Sequence, residues 1–286
     1  MMGGAVTAPL GIGGAAYRLE RSYTDDDGDG IPDSLERSST FNESLATLFG
    51  TDKFEGLDPT RRDLLIDVRY VGEASVSAET KATIRRLFRT NGIYLQWLEY
   101  PHRYEKSTFL EQYGHNAKRI LWSPRSFYHR EIEEWLLNVA FQLIVVPGIE
   151  QGPHQGRLYS PWTDLHGGRS DGYVNGLNTG NRAVVADRQT PEIETRLILH
   201  EIAHYALCHD TDPTNTGVMG TRKETDLMDY EWEQLRTGLS AIRDTTGVDV
   251  AFRRCLWWDL LGGRPSIPSA VADSIGCRGC EANLSD

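Results

Sequence analysis

Clusters of basic residues are missing from this sequence. Its 286 residues include 30 Lys and Arg against 41 Asp and Glu, a formal net charge of −11, and lysine occurs only five times. Proteins that bind nucleic acids concentrate positive charge to neutralise phosphates. The composition therefore argues against a nucleic-acid partner. Its length suits one large globular domain with small appendages.

Long apolar runs are also lacking. No stretch approaches the roughly 20 apolar residues that cross a bilayer, so we expect no transmembrane helix in the chain as given. The segment from Met1 to Ala16 is small and apolar but has no positive residue ahead of it. It resembles the last part of a secretory signal without the first part. A disordered Gly/Ala-rich leader over residues 1–22 is the alternative.

Cysteine is scarce. Four cysteines, Cys208, Cys255, Cys277 and Cys280, allow three complete disulfide pairings, and the sequence does not choose among them. The Cys277-x-x-Cys280 pair has no second such pair, which makes it a weak signal for zinc. Residues 251–286 are therefore assigned to a C-terminal tail.

An acidic run, Asp25–Glu36, has the spacing of an EF-hand calcium loop. Acidic side chains stand at loop positions 1, 3, 5, 9 and 12, and Gly30 stands at position 6, where such loops turn sharply. The predicted calcium ligands are Asp25, Asp27, Asp29, the carbonyl of Ile31, Asp33 and Glu36. The loop resembles the Asp-rich repeats of thrombospondin type 3 and dockerin-like modules, in a single copy. A solvated acidic linker is the alternative interpretation.

Calcium loops of this kind also bear on location. Extracellular modules use millimolar calcium, so the loop favours an extracellular or cell-surface protein. Residues 23–58 are assigned to this loop and a short helix after it. The main domain is predicted over residues 59–250.

Strands and helices alternate along the main domain, which predicts an α/β (α+β) fold. Residues 62–100 are predicted to be a βαβ unit with parallel strands and a right-handed crossover, with Ser77 as the helix cap. The other predicted elements are a helix over residues 125–140, strands over 141–146 and 182–187, and a helix over 231–242.

The motif with most chemical content is His200-Glu201-x-x-His204. Histidines four residues apart lie on one helix face and can reach one zinc ion, while the glutamate between them can act as general base toward a water. Thr190 as N-cap and Pro191 at the first helical position predict where this helix begins. The alternatives are a chance match and a buried structural histidine pair.

Together these features resemble the metzincin clan of zinc endopeptidases over roughly residues 60 to 245. The features are the βαβ half, the His-Glu-x-x-His helix after a strand, the His209-Asp210 pair, a methionine turn and a further helix. The resemblance implies a metzincin-like twisted mixed sheet with an active-site helix and a C-terminal helical subdomain. It also implies peptide-bond hydrolysis and a methionine beneath the zinc. Met219 is assigned that role, and Met228 in Met228-Asp229-Tyr230 is the competitor.

The third zinc ligand departs from the family pattern His-Glu-x-x-His-x-x-Gly-x-x-His. Leu207 occupies the glycine position and Asp210 the third-histidine position. We predict His209 as the third ligand, which requires the helix to break near Leu207, with Asp210 as the alternative. A glutamate ligand, as in thermolysin-like enzymes, would be Glu224, Glu231 or Glu233.

The sequence thus predicts a secreted zinc metalloendopeptidase with catalytic Zn²⁺, structural Ca²⁺ and a protein or peptide substrate. Glu201 is the predicted general base. An extended substrate is expected to pair with an edge strand, either residues 182–187 or a strand near Tyr173. The competing hypothesis is a calcium-binding surface or adhesion protein whose metzincin-like domain has lost catalysis.

Overall fold

The computed structural model describes residues 24–122, 139–160, 173–178, 182–188, 190–204, 207, 214, 216–219 and 226–244. Seven helices lie in these ranges: α1 Asp33–Glu36, α2 Ser39–Phe49, α3 Ala78–Thr90, α4 Lys106–Tyr113, α5 Ala117–Trp122, α6 Pro191–Ala203 and α7 Asp229–Asp244. The strands are β1 Asp63–Tyr70, β2 Tyr94–Glu99, β3 Ala140–Val146, β4 Leu158–Tyr159, β5 Tyr173–Val174, β6 Gly176–Asn178 and β7 Arg182–Ala186.

A five-stranded mixed sheet with the order β2-β1-β3-β7-β6 organises the fold. Strands β2, β1, β3 and β7 run parallel, and β6 pairs antiparallel with β7 at one edge. Strands β4 and β5 form a separate antiparallel pair. The prediction of an α/β fold is confirmed.

Burial explains the composition of the parallel strands. Every residue of β1 and β3 is buried, as expected for parallel strands covered on both faces, which read as apolar runs rather than as alternating patterns. One face packs in a core cluster with Phe88 of α3, Ile198 and Ile202 of α6 and Leu235 of α7. The other face packs mainly against α4 and α5. Helix α6, which carries His200 and His204, is therefore held against the sheet by its apolar side.

The predicted βαβ unit is confirmed. Strands β1 and β2 pair in parallel through α3, whose N-cap Ser77 accepts a hydrogen bond from the Thr80 amide at 3.1 Å. The strands predicted over 141–146 and 182–187 and the last helix are also present, with boundaries within two residues. Helices α4 and α5 were not predicted. The helix predicted over 125–140 lies outside the described residues up to 138, and β3 already begins at Ala140.

The N-terminal segment packs directly on the sheet. The predicted short helix is divided into α1 and α2 by a turn at Arg37, and Ser38 caps α2. Ile31 of the acidic loop is fully buried in a third apolar cluster with Leu45, Leu65 and Leu98. This cluster joins the segment to β1 and to β2. The loop is thus attached to the main sheet by apolar packing as well as by the chain.

In the described part of the chain, the helices are too short or too polar to cross a bilayer.

Candidate metal centre

The helix that carries the histidines is fixed at its N-terminal end by α3. The Glu194 carboxylate accepts a hydrogen bond from the Ser77 amide at 3.0 Å, and the Thr80 hydroxyl donates to the Pro191 carbonyl at 3.2 Å. Thr190 occupies the N-cap position and Pro191 the first turn, as predicted, but the Thr190 side chain makes no capping hydrogen bond. Contacts with α3, rather than the cap, therefore anchor this end of α6.

The imidazole rings of His200 and His204 converge at their Nε2 atoms. Their Nε2 atoms lie 3.1 Å apart. The Nδ1 of His200 lies 3.0 Å from the carbonyl oxygen of Val218, and the Nδ1 of His204 lies 3.0 Å from the carbonyl oxygen of Leu207. The predicted convergence of the two imidazoles is confirmed by this geometry.

The backbone carbonyls decide the tautomer of each ring. A carbonyl oxygen only accepts, so each Nδ1 carries the proton and donates it, which leaves a lone pair on each Nε2 of the neutral rings. Two imidazole nitrogens about 2.0–2.1 Å from one tetrahedral zinc ion are separated by about 3.3 Å. The two histidines therefore fit zinc, with their outer nitrogens oriented as in known zinc sites.

Glu201, next to His200 on α6, is buried. Its side chain is 4 % exposed, and burial alone raises the pKa of its carboxyl to about 8. The Asn178 amide group of β6 donates to the Glu201 backbone carbonyl at 2.7 Å. A carboxyl with a raised pKa is suited to accept and return a proton near neutral pH.

The edge strand β6 approaches Glu201 at a glycine. A Cβ atom on Gly176 would lie 2.9 Å from Cδ and 3.1 Å from Cγ of Glu201, distances that side chains do not tolerate without a shift. A larger residue at this point would displace the Glu201 carboxyl. Strand β7, one of the two predicted substrate-pairing strands, is not an edge strand, because it lies between β3 and β6. The strand at Tyr173 is β5, which pairs with β4. Among the described strands, β6 forms the edge of the five-stranded sheet beside Glu201.

Met219 directly follows Val218, whose carbonyl oxygen lies 3.0 Å from Nδ1 of His200. It is 1 % exposed and belongs to the same apolar cluster as the buried side of α6. The turn is held by a hydrogen bond from the Val218 amide to the Asp226 carbonyl at 2.8 Å. Met219 is adjacent to Val218, whose carbonyl is the partner of His200. This position favours Met219 over Met228 as the methionine of the turn.

Two of the three alternative glutamate ligands have other roles. Glu231 accepts a hydrogen bond from the Met228 amide at 2.7 Å and so caps α7. Glu233 is an exposed partner of Arg236. Within the described residues, no carboxylate, cysteine or third histidine forms a cluster with His200 and His204 in which the ligand atoms lie within 4.8 Å.

The helix that carries the two histidines ends at the second of them. The helix stops at Ala203, with His204 as C-cap, and the Leu207 amide donates to the Ala203 carbonyl at 2.9 Å. The required break near Leu207 is therefore present three residues earlier than the glycine position. His209, Asp210 and Glu224 lie outside the described residues, as do all four cysteines.

The acidic loop folds around its first carboxylate. Asp25 accepts hydrogen bonds from the amides of Gly28, Asp29 and Gly30 at 2.9 to 3.1 Å. Carboxylate oxygens of Asp25, Asp27 and Asp29 lie within 4.8 Å of one another. Gly28 and Gly30 both have positive φ, which glycine adopts readily. The loop therefore has the compact turn that its spacing predicted.

Its last two predicted ligands differ from each other. Asp33 accepts hydrogen bonds from the Asp26 amide at 3.0 Å and the Thr24 hydroxyl at 3.1 Å. Glu36 is 2 % exposed, and neither of its carboxylate oxygens has a hydrogen-bond partner. Burial, together with the charges of Asp29 and Asp27, raises the pKa of Glu36 to about 9. Burial likewise raises the pKa of Asp27 to about 6.

Comparison of the chain with protein families, with curated proteins and with solved structures gives no match.

Several groups at these sites were not found by sequence reasoning. Gly176 and Asn178 belong to a strand too short for a periodic signal, and the carbonyls of Leu207 and Val218 carry no side-chain signature. Asp63, the first residue of β1, lies against the acidic loop, and nothing in the loop spacing points to it. Each is brought to its site by the tertiary fold.

Proposed function

We propose that this chain is a zinc-dependent endopeptidase in which His200 and His204 hold the metal and Glu201 is the general base. The observation that carries the proposal is the pair of Nε2 atoms 3.1 Å apart, with both Nδ1 atoms hydrogen-bonded to backbone carbonyls. The third ligand is proposed to be His209, with Asp210 as the alternative. A zinc ion bound there would supply Lewis acidity to a water and to the substrate carbonyl.

Glu201 provides the proton transfer in this proposal. Its buried carboxylate takes the proton of the attacking water and returns it to the leaving amine, a role that its raised pKa supports. Asn178 holds the helix at Glu201 against β6, and Gly176 leaves the space that the carboxyl occupies. The protein groups for general acid and base catalysis are thus positioned by α6 and β6 together.

The substrate is proposed to be an extended peptide. Strand β6 is the outer strand of the sheet and lies beside Glu201. An extended chain that pairs with such an edge places its peptide bonds along the strand through main-chain hydrogen bonds. The order of the strands, with one antiparallel edge strand next to the histidine helix, supports the proposed likeness to metzincins.

The acidic loop is proposed to bind structural Ca²⁺. The carboxylates of Asp25, Asp27 and Asp29 and the unpaired carboxylate of Glu36 offer the oxygen ligands that calcium prefers. Such a site is filled where calcium is in the millimolar range, so an extracellular or cell-surface setting is part of the proposal.

The proposal is tested by hydrolysis of casein with zinc-loaded protein. We expect activity that a zinc chelator removes and that Glu201→Gln lowers by at least about 10²-fold while zinc content remains stoichiometric. The matched control is Glu192→Gln, the same change at an exposed position of the same helix, which should retain full activity.

Two results would overturn the proposal. Wild-type protein that binds zinc but cleaves no casein or denatured protein substrate would favour the adhesion-type alternative. Equal cleavage by Glu201→Gln would remove the general base. For the third ligand, His209→Ala is expected to lose zinc, and Asp210→Ala to keep it.

A further inference from the structure

A carboxylate from the main sheet joins the acidic loop. Oxygen atoms of Asp29, Glu36 and Asp63 lie within 4.8 Å of one another, and all three side chains are at most 2 % exposed. Asp29 also belongs to the group formed with Asp25 and Asp27. One ion next to Asp29 can therefore reach carboxylates of the loop, of α1 and of β1.

Glu36 indicates that this cluster has a ligand. Both of its carboxylate oxygens are buried without a hydrogen-bond donor, and they face the carboxylates of Asp29 and Asp63. A buried carboxylate without partners is strongly unfavourable, and neighbouring negative charges add to the cost. A divalent cation coordinated by oxygen would satisfy Glu36 and neutralise its neighbours.

The loop is already attached to the start of β1 by hydrogen bonds. The Asp63 amide donates to the Asp29 carboxylate at 2.7 Å, and the Arg62 guanidinium donates to the Asp27 carbonyl at 2.6 Å. The Asp63 carboxylate is held in place by Arg61 and by the Gln96 amide group. Asp63 also pairs with Arg61 at 3.0 Å and accepts a hydrogen bond from the Asp58 amide at 3.2 Å, so partners do not distinguish it from Asp33; its distance to Asp29 and Glu36 does.

Asp33 is placed differently, although the spacing of the loop assigns it a ligand position. Its carboxylate accepts from Thr24 and Asp26 and pairs with Arg37 at 3.2 Å. It belongs to neither carboxylate group within the described residues. Its hydrogen bonds close the loop onto α1.

We infer that Asp63 is a ligand of the loop's calcium ion and that Asp33 is not, so that the ion bridges the acidic loop to the first strand of the sheet. The inference rests on the calcium binding included in the proposed function. Asp25, Asp27, Asp29, Glu36, Asp63 and the Ile31 carbonyl offer the six or more oxygen ligands that Ca²⁺ takes. A calcium ion in this site stabilises the sheet domain as well as the loop.

Calorimetric titration of metal-free protein with CaCl₂ tests the inference. Asp63→Asn and Glu36→Gln are expected to weaken calcium binding at least tenfold, whereas Asp33→Asn, the same change at an equally buried position, stays within threefold of wild type. Wild-type affinity in Asp63→Asn, or a tenfold loss in Asp33→Asn, would overturn it. Wild-type protein that binds no calcium would overturn it together with the calcium part of the proposed function. The Glu201 experiment tests the peptidase activity separately.

Hydrogen exchange on the wild-type protein gives a second measurement, because Asp63→Asn also alters contacts with Arg61 and Gln96 and its folding must be checked by circular dichroism. Calcium is expected to slow exchange at the amides of residues 25–36 and also at residues 58–66. Slowing confined to residues 25–36 would overturn the bridge to β1.

Discussion

The histidine centre and the acidic loop differ in what holds their side chains before any metal binds. At the histidine centre, each Nδ1 has a carbonyl partner, and these partners come from Leu207 and Val218, beyond the helix. In the acidic loop, backbone amides surround Asp25, but Glu36 is buried with no donor at all. The Nδ1 atoms of the histidines thus have partners in the protein, whereas the Glu36 carboxylate has none among the described residues.

Charge explains the difference. Neutral imidazoles can be packed side by side and oriented by hydrogen bonds at small cost, so the fold can prepare this site in advance. Carboxylates repel one another and lose hydration on burial, which is why the pKa of Glu36 is raised to about 9 and that of Asp27 to about 6. The free energy of unfolding should therefore depend on calcium at the acidic loop, to a greater degree than the apolar packing of the loop alone would suggest. Four experiments test this difference and the packing around the two sites.

The largest expected effect concerns the packing beneath the histidines. Met219→Ala removes a side chain that is 1 % exposed, and it should lower the free energy of unfolding by about 2–5 kcal/mol because a cavity remains. Met219→Leu keeps the volume and should cost less than about 1.5 kcal/mol. Urea denaturation measures both. Equal stability of Met219→Ala and wild type would show that the turn does not support the histidine centre.

Removal of calcium should have the second largest effect on stability. An ion present at 100 times its dissociation constant stabilises the folded state by about 2.7 kcal/mol, which corresponds to a fall in Tm of roughly 5–10 °C on chelation for a domain of this size. Differential scanning calorimetry with and without a calcium chelator measures it. Glu36→Gln should lose most of this response. A response of full size in that variant would contradict the assignment of Glu36 as a ligand.

The third experiment concerns the space around Glu201, the proposed general base. Gly176→Ala would press a Cβ atom against the Glu201 carboxyl, so casein hydrolysis should fall by about 10- to 100-fold, in line with small misplacements of catalytic groups, while zinc remains bound. Leu177→Ala is the matched control, since Leu177 packs in the other core cluster. Comparable losses in both variants would mean that β6 acts through general stability only.

The smallest expected effect concerns the two predicted helix N-caps, Ser77 and Thr190. Ser77→Ala removes a side chain that accepts the Thr80 amide and should cost about 1 kcal/mol in urea denaturation. Thr190→Ala removes a side chain without a capping bond and should change stability by less than about 0.5 kcal/mol. A larger loss of stability in Thr190→Ala would show that Thr190 caps α6, as the sequence predicts.

Much of this fold could be predicted from local patterns. The apolar runs of β1, β2, β3 and β7, the cap at Ser77 and the start of α6 at Pro191 each have a signal within a few residues. Helices α4 and α5 were missed because their apolar residues are interspersed with polar ones. Strand β6 was missed because three residues are too few for an alternating pattern.

The two candidate sets of metal ligands could be found in the amino-acid sequence, because both His200-Glu201-x-x-His204 and the acidic loop depend on spacing within one helix or one turn. The groups that complete these candidate sites come from the tertiary fold. The carbonyls of Leu207 and Val218 and the space at Gly176 come from segments distant in sequence, as does Asp63 beside Glu36. The physical reason is that periodicity reports the faces of single elements, whereas a site is completed by whatever the packed sheet brings within contact distance.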